Sequence, residues 1–76
     1  MNYTAKIVKT TTAGTALNSY EFTGSDVDVI CEATNVMADY GINIAPVDLL
    51  SDLITDNKIS RKFYLDGIAI LKVSIR

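Results

Sequence analysis

From Thr10 to Asn57 the chain runs for 48 residues without a lysine, arginine or histidine, while holding eight of its nine acidic side chains. A helix inside that block has no cation of its own with which to pair its carboxylates, and like charges one turn apart each cost about 0.2 to 0.5 kcal/mol. A purely solubilising surface could have avoided that cost. The flanks of the block carry all seven basic residues against one acid, Asp66. A formal net charge of −2 therefore conceals a middle block at −8 and two basic ends. Segregated charge steers association with surfaces of opposite sign, whereas mixed charge cancels at short range.

Both flanks read as β-structure. Tyr3 to Thr10 is mostly β-branched or aromatic, with Tyr3, Ala5 and Ile7 alternating with Thr4, Lys6 and Val8. A polar stretch, Thr11 to Thr15, turns the chain at Gly14 into a second strand over Leu17 to Thr23. At the other end, Ile59 to Leu65 and Ile68 to Ile75 surround Asp66-Gly67, a pair suited to a type I′ turn. In the last strand Ala69, Leu71, Val73 and Ile75 point one way, and Ile68, Ile70, Lys72 and Ser74 the other.

The acidic block between the hairpins predicts two helices. Ser25 stands three residues before Asp28, in the manner of a capping box, and acids in the first turn suit the helix dipole. Val27, Ile30, Cys31, Thr34, Met37 and Ala38 then recur at spacings of three and four, which predicts a helix ending near Tyr40 with Gly41 as its stop. Its other side carries Asp28, Glu32, Asn35 and Asp39. Pro46 fits the first position of a second helix, with Val47, Leu50, Leu53 and Ile54 as the apolar side and Asp48, Asp52 and Asp56 as the acidic one. The expected fold is α+β, in the order ββααββ: one four-stranded antiparallel sheet with both helices packed on one face.

A chain of 76 residues is expected to form a single domain over 1–76, burying about 60% of its unfolded surface. Total stability is then roughly 4 to 11 kcal/mol, a thin margin for strained chemistry. Cys31 is the only cysteine, so no disulfide forms within the chain. Apolar residues make up 49%, more than one small core needs, which points to a second buried surface, such as a homodimer through the outer sheet face near Ile68, Ile70 and Phe63 or Tyr64. No apolar run is long enough to span a bilayer and no secretory leader is visible, so the expected location is cytoplasmic. Asn2-Tyr3-Thr4 matches a glycosylation sequon, which without a leader is a chance match.

Residues for chemistry are sparse. The chain has no histidine, so no side chain titrates near neutral pH without a strong shift. Cys31 falls on the predicted apolar side of the first helix, which assigns it to the core and not to nucleophilic attack. Asp26, Asp28 and Glu32 lack the glycine and spacing of a calcium loop. The four glycines sit singly at predicted turns, so no phosphate-binding loop is present. No catalytic residue, metal or cofactor is expected, and the chain reads as a non-enzyme.

Carboxylates one helical turn apart lie roughly 6 Å apart, near the spacing of phosphates along a nucleic-acid strand. Asp28, Glu32, Asp39, Asp48, Asp52 and Asp56 are accordingly the expected partner-binding residues. The expected partner is a basic surface on a nucleic-acid-binding host protein, which the acidic helices would cover. In size, composition and charge layout the chain resembles the small inhibitors that bacteriophages and mobile elements direct against host transcription, chromatin or defence complexes, anti-CRISPR proteins among them. That resemblance implies a protein target and assigns no residue a role. Two alternatives stand beside it: a homo-oligomeric assembly module, and a small nucleic-acid binder using Lys58, Arg61, Lys62, Lys72 and Arg76 of the C-terminal hairpin. Net acidity counts against the second alternative, so direct nucleic-acid binding is not expected.

Overall fold

The computed structural model describes residues 2–76. Two strands, β1 (Tyr3–Thr11) and β2 (Ala16–Gly24), are followed by helices α1 (Asp26–Asp39) and α2 (Pro46–Asp56) and then by strands β3 (Ile59–Leu65) and β4 (Ala69–Ile75). The order is the expected ββααββ, and the four strands form one antiparallel sheet in the order β2-β1-β4-β3. The first and last strands are neighbours at the centre, where Ala5, Ile7 and Lys9 stand opposite Ile75, Val73 and Leu71. The chain must therefore travel from one edge strand, β2, to the other, β3, and the two helices make that crossing over one face.

Local chemistry sets the element ends. Ser25 caps α1, its Oγ accepting from the Asp28 N–H at 3.2 Å. Gly41, at φ 80°, follows the helix end, with its N–H donating to the Ala38 carbonyl at 3.0 Å. Pro46 opens α2, and Asn57 closes it in a left-handed conformation at φ 58°. Asp66 and Gly67 both take positive φ, 51° and 72°, as a type I′ turn requires, and the Ile68 N–H closes that turn on the Leu65 carbonyl at 3.0 Å. Pairing starts one residue later than predicted, at Leu65 opposite Ala69, which leaves Ile68 in the turn.

Strand alternation sends Ala5, Ile7, Ile59, Leu71, Val73 and Ile75 into the core, where they meet Val29, Ile30, Ala33 and Met37 of α1 and Leu49 and Leu53 of α2. α1 lies over β1 and β2, and α2 lies beside it toward β3. Ala33 is fully buried, and its small side chain lets α1 sit close to the sheet.

Both helices are rotated about their axes relative to the sequence expectation. Ile30 and Met37 are buried as predicted, but Val27, Cys31 and Ala38 are exposed and Thr34 is half-buried. In α2, Leu53 is buried as expected and Leu50 partly so, while Val47 and Ile54 are exposed and Leu49 takes the deepest place. Apolar residues occupy most of the circumference of α1, so spacing alone admits several inward directions. The one adopted directs Val29, Ile30, Ala33 and Met37 at the sheet.

Candidate interaction surfaces

The helix layer carries seven acids and no base: Asp26, Asp28, Glu32 and Asp39 on α1, and Asp48, Asp52 and Asp56 on α2. They do not form one continuous face. Asp28 and Glu32 lie against Phe22 and Thr23 of β2, one edge of the sheet, whereas Asp52 pairs with Arg61 of β3, the other edge. With about 100° between successive residues, Asp39 shares the flank of Asp28 and Glu32, and Asp48 and Asp56 share that of Asp52.

Between the two acidic rows runs an apolar seam. α1 starts where β2 ends and α2 stops where β3 begins, so the chain reverses between the helices, and the flanks without acids are those turned away from the edge strands β2 and β3. Those flanks carry Val27, Cys31 and Ala38 on α1 and Val47, Leu50 and Ile54 on α2. Val27 is 54% exposed, and Val47 and Ile54 are each 68% exposed. Val27, Cys31, Ala38, Val47 and Ile54, predicted to be core, thus lie exposed on the helix layer, on the flanks that carry no carboxylates.

The six predicted binding acids differ in what already holds them. Asp52 is bonded to Arg61, the one ion pair found among the described residues. Asp28 sits beside the α1 cap, close enough to β2 that a Cβ added at Gly24 would meet its Cβ at 3.1 Å. Asp48 lies in the first turn of α2, where the dipole favours an anion. Asp39 and Asp56 stand at the opposite ends of their helices, where the dipole opposes them and no base lies in the last turn. Glu32 has no ion-pair partner among the described residues.

The opposite face of the sheet carries no helix. Alternation places Lys6, Lys62, Lys72 and Arg76 there with Thr4, Ser19, Thr23, Ser60, Ser74, the half-buried Val8 and Ile70 and the exposed Tyr64, against a single acid, Glu21. Lys62 stands directly opposite Lys72, and Lys6 opposite Ser74. Lys9 and Arg61 point toward the helices instead: the Lys9 Nζ lies 5.2 Å from the centre of the Tyr40 ring, and Arg61 reaches Asp52. Seven of the nine acids thus lie in the helix layer and four of the seven bases on the open sheet face. The C-terminal cations were legible as a cluster, but the membership of Lys6 depends on the long-range pairing of β1 with β4.

Near the end of α1 the Tyr20 and Tyr40 hydroxyls are 3.1 Å apart. The hydrogen bond to Tyr40 raises the Tyr20 pKa above 10.0, helped by desolvation and by the negative charges of ionised Tyr40 and Asp39. Among the described residues no group of three or more histidine, cysteine, aspartate or glutamate side chains is placed to hold a metal ion. No helix among the described residues is long and apolar enough to cross a membrane. Comparison with known proteins finds no match: no family model fits the chain, and no curated protein or solved structure matches it.

Proposed function

We propose that the helix layer is a protein-binding surface that covers a basic site on another protein, and that the chain acts by occlusion without chemistry of its own. What supports this reading is the apolar seam of Val27, Val47 and Ile54 lying exposed between two rows of carboxylates. A purely solubilising exterior has no use for valine and isoleucine at its centre, whereas an interface combines an apolar centre with a charged rim. Carboxylates alone steer a partner in; the seam supplies area that is removed from water on docking.

The partner class that fits is a nucleic-acid-handling protein, because its binding site is a cationic surface already adapted to a row of anions. Occlusion of such a site is how the small phage and mobile-element inhibitors, anti-CRISPR proteins included, would be matched in mode of action. The homodimer alternative through the outer sheet face draws little support from the charge layout, since isologous pairing would set four cations against four.

The test is a pull-down from bacterial lysate with the native chain and two variants, one carrying Glu32→Lys, Asp39→Lys, Asp48→Lys and Asp56→Lys, the other Val47→Ser and Ile54→Ser. Asp52 is left intact because its change would also break the bond to Arg61. The expected result is a nucleic-acid-binding protein retained by the native chain, lost by both variants, and displaced from its own nucleic acid on adding the native chain. Identical capture by all three forms would remove the helix layer from consideration.

A further inference from the structure

The open face of the sheet has a charge arrangement that the fold itself does not need. Four cations, Lys6, Lys62, Lys72 and Arg76, project from it, and only Glu21, opposite Lys6, offsets them. Lys62 and Lys72 are direct cross-strand partners, an arrangement that costs stability because two like-charged side chains leave the sheet from Cβ atoms about 5 Å apart. From Lys72 the next cation, Lys6, is a diagonal neighbour across β4 and β1, and from Lys6 the next, Arg76, is again diagonal, each step about 7 to 8 Å. The four trace a bent path from β3 over β4 to β1 that returns to the β4 line at Arg76.

The surface relief follows the same track. One depression of about 390 Å³ is lined by Ser60, Lys62, Lys72 and Arg76, and another of about 320 Å³ by Thr4, Lys6 and Arg76 together with the acid Glu21, which places the anion-binding part of the surface toward Lys62, Lys72 and Arg76. Both include Ser74, so they join into one trough. Tyr64, two residues from Lys62 on the same face and 71% exposed, adds an accessible aromatic ring at one end.

We propose that this trough binds a single-stranded nucleic acid, its phosphates following Lys62, Lys72, Lys6 and Arg76 while a base stacks on Tyr64. A single strand matches the path better than a duplex does, because the open sheet face carries no helix to enter a groove and stacking requires an unpaired base. The serine and threonine hydroxyls beside the lysines donate to phosphate oxygens without reading sequence. Net acidity, which counts against such a ligand in the sequence, is concentrated on the far layer. Most acids of that layer are exposed on the far side of the sheet, where charges separated through solvent by more than about 8 Å are largely screened at physiological salt. This surface does not depend on the reading of the helix layer, and the two are altered by different substitutions.

The experiment is fluorescence anisotropy of a labelled single-stranded oligothymidylate and its RNA counterpart with the full chain. Four phosphate contacts predict that affinity falls roughly 50-fold as salt rises from about 50 to 200 mM. The double variant Lys62→Ser with Lys72→Ser should bind more weakly and lose about half of that logarithmic salt slope, and Tyr64→Ala should cost roughly tenfold or more. The same double variant should melt no lower than the native chain, because a like-charge pair has been removed, so lost binding cannot be ascribed to unfolding. Absence of binding at low salt overturns the proposal. So does tight binding of polyglutamate that ignores Tyr64→Ala, which would make the ligand an acidic polypeptide. Salt-sensitive self-association abolished by the lysine changes, with no oligonucleotide bound, would assign the trough to the acidic layer of a second copy.

Discussion

Arg61 of β3 and Asp52 of α2 are joined by an ion pair that ties the second helix to the edge of the sheet. The side chains are 38% and 44% exposed, so water screens much of the attraction. Arg61→Ala or Asp52→Asn should each lower unfolding stability by no more than about 1 kcal/mol in urea denaturation. The double variant should lose less than the two singles together, since one bond is removed in each. Strict additivity would mean that each residue acts through its own packing and not through the pair.

Asp39 and Asp56 stand in the last turns of α1 and α2, against the dipole and without a neighbouring base in either turn. Replacing each with asparagine should raise stability by about 0.3 to 1 kcal/mol at low ionic strength, an effect that shrinks as salt is added. Thermal melting at two salt concentrations reads both the sign and the screening. Stabilisation accompanied by loss of partner capture would mark these carboxylates as kept for binding at a cost to the fold. A loss of stability on replacement would point instead to a local contact that offsets the dipole.

The elements were largely legible and the helix orientation was not, for a physical reason. β1 and β4 alternate cleanly, so Ala5 and Ile7, and Leu71, Val73 and Ile75, could be assigned inward from sequence; all are buried. Asp66-Gly67 and Ser25 carry their own conformational chemistry, and each does locally what its residue type dictates. In α1, by contrast, Val27, Val29, Ile30, Cys31, Ala33, Val36, Met37 and Ala38 leave only the acidic flank clearly polar. The inward direction is then decided by the sheet, which is remote in sequence. Strand order has the same character: β1 meets β4 only because two helices carry the chain from one edge to the other. The predicted acids were found on the helices, but their division into two rows around a seam required the packing.

The bond between Tyr20 and Tyr40 makes stability sensitive to alkali. With the folded-state pKa of Tyr20 raised above 10.0, the folded chain holds this proton more tightly than the unfolded chain does. The contribution is fully present below pH 10.0 and is lost as pH rises through the folded-state value. Tyrosinate absorbance during an alkaline titration should show a late component that belongs to Tyr20. Tyr40→Phe should bring that transition back toward the ordinary range, since it removes the largest cause of the shift. An unchanged titration in Tyr40→Phe would exclude the hydroxyl pair as its origin.

Cys31 separates the two orientations of α1 directly. A core cysteine is shielded from reagents until the domain opens, whereas a cysteine beside the inter-helix seam reacts in the native state at a rate set by its exposure and thiolate fraction. The thiol is free and exposed, so one equivalent of a maleimide or aromatic disulfide should couple rapidly without denaturant. Cys31→Ser should change stability by less than about 0.5 kcal/mol, as expected for a surface position. A bulky adduct should leave the melting temperature nearly unchanged while blocking any partner that docks on the seam, because Cys31 shares its flank of α1 with Val27 and Ala38. Slow labelling that tracks global unfolding would restore the inward orientation predicted from spacing and close the apolar seam with it.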